Sequence, residues 1–130
     1  ASKDGRSLPD ATPLSHTTTS RRSSRHHTPH HQVPDRGGLS GPPLRANAVE
    51  LVGDMYKRTE GRVPIVGVGG VASPEDAYAL VKAGASLVQL YTALVYKGPS
   101  LAPALTEGLV ALAAKDGFSS VQAAVGASHK

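Results

Sequence analysis

The sequence predicts an α/β fold: a slice of a larger parallel barrel or doubly wound sheet, preceded by a disordered amino-terminal segment. Three observations carry that prediction. Apolar runs and helical stripes follow one another as helix, strand, helix, strand, short helix, helix. A helix separates the two strands, which implies parallel pairing through a right-handed crossover. Two strands cannot complete an α/β domain by themselves, so the ordered part reads as a piece of a wider sheet.

The amino-terminal prediction comes from composition. Residues 1–36 hold 11 Ser/Thr, 5 of the 6 His and only five hydrophobic residues: Ala1, Leu8, Ala11, Leu14 and Val33. These five follow neither period 2 nor period 3.6. Burial on that scale cannot offset the entropy of ordering the chain. His26, His27, His30 and His31 are metal-ligand types, but no local scaffold fixes their rings. A solvated His-rich stretch is the expectation, and no metal site is assigned. Arg21, Arg22 and Arg25 lack an aromatic platform, so no nucleic-acid partner is expected.

The remaining 94 residues carry 8 basic and 7 acidic side chains, so the net charge of +4 sits mostly in the first segment. There is no Cys, which excludes disulfide scaffolds, thiolate zinc sites and a cysteine nucleophile. No uninterrupted apolar run approaches the ~20 residues of a membrane-spanning helix.

The elements follow in order. Gly37–Gly41 is a glycine-rich loop closed by Pro42 and Pro43. Residues from about Arg45 to Arg58 form a helix with Ala48, Leu51, Val52, Met55 and Tyr56 on one face. Gly61 ends it. Val63–Val68 is an apolar, β-branched run that suits a strand buried on both faces. Ser73 caps the next helix, Pro74 opens it, and Glu75 and Asp76 occupy its first turn. That helix buries Ala77, Leu80 and Val81 and stops at Gly84. Ser86–Leu90 is the second strand, and Thr92 caps a short helix running to about Tyr96. After Gly98 and Pro99, Ser100–Lys115 forms a helix with Leu101, Leu105, Leu109 and Leu112 on one side. Gly117 ends it, and Val121–Val125 forms a last short helix.

Three features sit where parallel α/β proteins hold phosphate. Gly69 and Gly70 follow the carboxyl end of the first strand. Tyr91 and Thr92 follow the second strand and open a short helix. The Gly37–Gly41 loop supplies a third set of free amides. Exposed N–H groups at such turns favour anions. In (β/α)8 barrels the corresponding site lies after strands seven and eight, beside a short extra helix. The glycine run is not a dinucleotide fingerprint, because Ala72 stands three positions after Gly69.

At these residues the chain resembles the carboxyl-terminal part of class 2, quinone-dependent dihydroorotate dehydrogenases. The similar stretches are Gly37–Arg45, Gly61–Val71, Ala83–Leu94, Lys97–Pro99 and Gly117–Ala127. The resemblance covers residues 37–130 and implies the last two β/α units of a (β/α)8 TIM barrel. It implies FMN as cofactor and dihydroorotate and ubiquinone as substrates, in the oxidation to orotate within UMP biosynthesis. It places the family at the mitochondrial inner membrane in animals. Carried over residue by residue, Ser40, Gly41, Gly69, Gly70, Tyr91 and Thr92 are the cofactor-binding candidates. Arg45 and Lys97 are expected to be surface charges, and Tyr91 serves equally as a packing residue.

No catalytic residue is assigned, because the family's general-base serine, flavin-contacting lysine and substrate-binding asparagines lie outside the similar stretches. Membrane association is likewise expected only through an amino-terminal part outside them. Residues 1–36 are expected to be unrelated to the family, joined abruptly at Gly37 as a gene-model error or alternative exon would join them. The expectation is therefore an inactive fragment of the enzyme. The alternative is a non-catalytic splice form that binds phosphate, FMN or a partner.

Overall fold

The computed structural model describes residues 14–15 and 38–130 of the chain. Its centre is a three-stranded parallel sheet, β1 (Leu14–Ser15), β2 (Ile65–Val68) and β3 (Leu87–Gln89), in that spatial order. Leu14 pairs with Ile65, and Val66–Val68 pair with Leu87–Gln89. Strand order equals chain order, so each crossover moves one position along the sheet in the same sense. Residues 38–130 contribute the two expected strands, β2 and β3, and β1 falls inside the segment expected to be disordered. The rest of residues 1–36 lies outside the described residues.

Helix α1 (Arg45–Thr59) follows a 3-10 turn at Pro42–Leu44, where only a break was expected. It buries Ala48 and Val52, while Leu51 of the expected stripe is 37% exposed. The helix ends with Glu60 in the left-handed region. Helix α2 (Pro74–Ala83) has the expected bounds. The Ser73 hydroxyl accepts a hydrogen bond from the Asp76 amide, which satisfies one of the free N–H groups of the first turn. Helix α3 (Thr92–Lys97) is short and buries none of its residues. Tyr91, not Thr92, occupies its cap position and makes no side-chain capping bond. Helix α4 (Leu101–Lys115) buries Leu101 and Leu105. The expected last helix is instead a pair of 3-10 turns at Gln122–Ala124 and Ala127–His129.

The core lies between β2 and helices α1, α2 and α4. Ile65, Leu80, Ala85, Val52 and Leu105 are among its buried members. Gly67 lets α2 approach the strand closely: a β-carbon there would lie 3.3 Å from the Leu80 Cβ. A second cluster joins Tyr78, Val81, Ala113 and Ala124 under Phe118 and Val125.

Among the described residues, β2 and β3 are packed mainly on one face. Ile65 and Gly67 are buried, whereas Val66 and Val68 are half-buried. Leu87 is 64% exposed. This corrects the expectation of burial on both faces. The period-2 alternation of a strand sends alternate residues to opposite faces, and the helices pack against one of them.

Candidate functional site

The carboxyl ends of β2 and β3 open into one cavity of about 490 Å³. Three stretches separated in sequence line it: the loop before α1, the turn after β2, and the connection from β3 into α3. All six sequence candidates, Ser40, Gly41, Gly69, Gly70, Tyr91 and Thr92, are in that lining. The fold brings the loop and the helix start into contact, since a β-carbon on Gly41 would lie 3.6 Å from Thr92 Cγ2.

The turn after β2 depends on glycine. Gly70 has φ +71°, and a β-carbon there would lie 2.6 Å from the Arg45 backbone nitrogen. The side chain's absence is what lets the first turn of α1 sit against the turn. Among the described residues, the amides of Gly70, Thr92 and Ala93 have no backbone carbonyl partner. Free donors of this kind favour an anion.

A polar cluster stands behind the turn. Asp76, at the start of α2, has a side chain only 8% exposed. It accepts hydrogen bonds from the Ala72 amide at 3.1 Å and from Arg45 Nη1. Burial pushes its carboxyl upward, but the bonds from Arg45, Ala72 and Ser73 outweigh that and hold it below 3.8. Arg45 is therefore more than a surface charge: its head is partly exposed, but it pairs with a buried acid.

Lys97 was also expected to be a surface charge. It is exposed, yet its Nζ donates to the Ala72 carbonyl oxygen at 2.7 Å, and it lines the cavity. It is the charged side chain in that lining. Tyr91 is 78% exposed, so it does not act as a packing residue within this chain. Gln89 and Tyr96 join the lining without having been singled out from the sequence. Strand alternation carried the signal for Gln89, since it must face opposite to Val88. Nothing local to the sequence marked Tyr96.

Far from the cavity, Tyr78 donates to Asp116 at 2.9 Å, and Lys82 approaches the same carboxylate at 3.4 Å. The Tyr78 bond, helped by Lys82, holds the Asp116 carboxyl below its usual value. This cluster ties α2 to the end of α4. No group of metal-ligating side chains occurs among the described residues, and none of the described helices is long and apolar enough to cross a membrane.

Comparison with known proteins places this architecture. The family model for dihydroorotate dehydrogenase matches residues 10–112. That stretch includes β1 and reaches back across the expected boundary at Gly37. A dihydroorotate dehydrogenase (quinone) of Halobacterium salinarum is 53% identical over 118 residues, covering 91% of this chain and 32% of that protein. The mitochondrial dihydroorotate dehydrogenase (quinone) of Arabidopsis thaliana is 46% identical over 90% of this chain and 25% of its own length. The crystal structure of the Eimeria tenella enzyme in complex with ferulenol superposes with a TM-score of 0.77 at 35% identity. It covers 91% of this chain, which corresponds to 31% of the Eimeria chain. The chain thus spans a third or less of the length of these relatives. Of these relatives, the Arabidopsis thaliana protein is the one named mitochondrial. With most of its residues matched by the family model and relatives about half identical to it, the chain belongs to the dihydroorotate dehydrogenase family.

Proposed function

We propose that residues 37–130 form the cofactor-holding end of a quinone-dependent dihydroorotate dehydrogenase, built from the last two β/α units of its (β/α)8 barrel. One observation carries this reading. In a chain of this family, all six candidate residues line a single cavity at the carboxyl ends of parallel strands. That is where such barrels hold phosphate.

The residues present fit FMN. The cavity lies within the range of small-molecule sites. Among the described residues, amides without a backbone carbonyl partner edge it at Gly70, Thr92 and Ala93. In this reading the amides of Gly70, Thr92 and Ala93 take the phosphate, with the Thr92 hydroxyl beside them. Ser40 and Gly41 line the cavity beside Thr92. When bound, FMN supplies the redox chemistry: it takes electrons from dihydroorotate and passes them to a quinone. The chain's own part is to bind and orient the cofactor.

The wider proposal is that the whole enzyme oxidises dihydroorotate to orotate in UMP biosynthesis. The names of the relatives support this. The 130-residue chain alone is proposed to lack turnover, because no residue in it is assigned as the catalytic base. A mitochondrial inner-membrane location belongs to the same proposal and is supported by the plant relative.

Two measurements on the purified chain test these points. FMN titration followed by flavin fluorescence is expected to show saturable quenching; no quenching overturns the flavin reading. Dihydroorotate-dependent dye reduction with added FMN is expected to stay at background; turnover overturns the claim of inactivity.

A further inference from the structure

The Ala72 peptide is held from both sides. Its N–H donates to Asp76 Oδ2 at 3.1 Å, and its carbonyl accepts from Lys97 Nζ at 2.7 Å. The same Asp76 carboxylate takes Arg45 Nη1 through its other oxygen. Asp76 and Ala72 together thus link all three walls of the cavity. Arg45 opens α1 directly after the Ser40–Leu44 wall, Ala72 ends the glycine turn, and Lys97 closes α3.

We propose that Lys97 and Asp76 are positioning residues that clamp the Ala72 peptide and so fix the glycine turn and α3 relative to each other before a ligand arrives. Two physical points support this. Helix α3 buries none of its residues, so packing alone holds it loosely. A bond from an ammonium group is stronger than a neutral one, which suits a link between a short helix and a turn. The turn itself gains order from the buried end of the same network, where a carboxylate rather than water receives the Ala72 N–H. Donors fixed in advance bind an anion better than donors that must be ordered on binding.

The ligand-binding half of this inference rests on the flavin reading above; the clamp itself does not. The test uses the full chain with Lys97→Met, Asp76→Asn and, as a control remote from the cavity, Lys82→Met. Lys97 is exposed, so its substitution leaves the core intact, and thermal melting checks that all three variants fold. Without ligand, hydrogen exchange at the Ala72 amide, which is bonded to Asp76, is expected to speed up about tenfold in Lys97→Met and Asp76→Asn, and to stay unchanged in Lys82→Met. Unchanged exchange in Lys97→Met overturns the clamp, even if FMN affinity falls, because a lysine acting only as a charge would leave the empty turn undisturbed. In the FMN titration, Lys97→Met is expected to raise Kd about tenfold with Lys82→Met at the wild-type value. Wild-type affinity in Lys97→Met overturns the positioning role. If the unsubstituted chain ignores FMN, the flavin reading fails, and the exchange result alone decides the clamp.

Discussion

Gly70 is the residue on which the cavity turn most depends. A β-carbon there meets backbone, which cannot swing aside as a long side chain could. Gly70→Ala also forces φ +71° on an L-residue, and such strain costs of order 1–3 kcal/mol. The expected outcome is a lower urea midpoint together with loss of FMN quenching, both measured on the same preparation. Asp76 and Asp116 give a second residue-scale prediction. Both carboxyls are held below their ordinary value in the folded chain. The folded state therefore binds fewer protons than the unfolded state just above that value. The stabilisation is present above pH 3.8 and is lost as pH falls through the folded-state values. Urea midpoints measured from about pH 6 down to pH 3 are expected to fall. Asp76→Asn is expected to flatten part of that slope. An unchanged slope would show that Asp76 contributes nothing to it.

At the scale of elements, the packing of α4 on α2 uses small residues where the helices come closest. A β-carbon on Gly108 would lie 2.4 Å from the Pro74 ring, which is fixed at the first turn of α2. Gly108→Ala would favour the helix by intrinsic propensity, by about 1 kcal/mol. The overlap opposes this, and overpacking of a rigid ring costs about 1–3 kcal/mol. The net expectation is destabilisation, read as a drop in thermal midpoint; a rise would mean that α4 shifts without cost. Much of this level was legible in advance. The Ser73-Pro74 start of α2 was readable because capping chemistry is local. Thr92 misled as a cap because Tyr91 already takes the cap geometry. The Leu51 reading failed because the apolar stripe is wider than the surface that covers it. Strand β1 was not readable, since two residues among polar neighbours make no periodic signal.

At the scale of the whole molecule, burial differs sharply between positions of the described sheet and its helices. Leu80 is fully buried between α2 and β2, whereas Leu87 is largely exposed on β3. Leu80→Ala is expected to cost about 2–5 kcal/mol in the isolated chain. Leu87→Lys is expected to change its stability by no more than about 0.5 kcal/mol. Chemical denaturation of both variants checks this. A large loss for Leu87→Lys would mean that Leu87 is covered in solution. The six candidate residues were nameable from sequence because glycine turns after strands are a local pattern. Their meeting in one cavity was not, because it depends on how three distant stretches are brought together.

The sequence by itself determined the parallel α/β class, the bounds of α2, the near neutrality of residues 37–130 and the family. Each of these rests on local patterns: periodicity, capping residues, composition and short motifs. Only the tertiary structure decided that Leu87 is exposed on β3, that Arg45 and Lys97 hold neighbours instead of merely facing solvent, and that Asp76 and Ala72 together link the three cavity walls. The reason is physical. A charged side chain looks the same in sequence whether water or a carbonyl receives it, and its partner here lies 25 or more residues away along the chain.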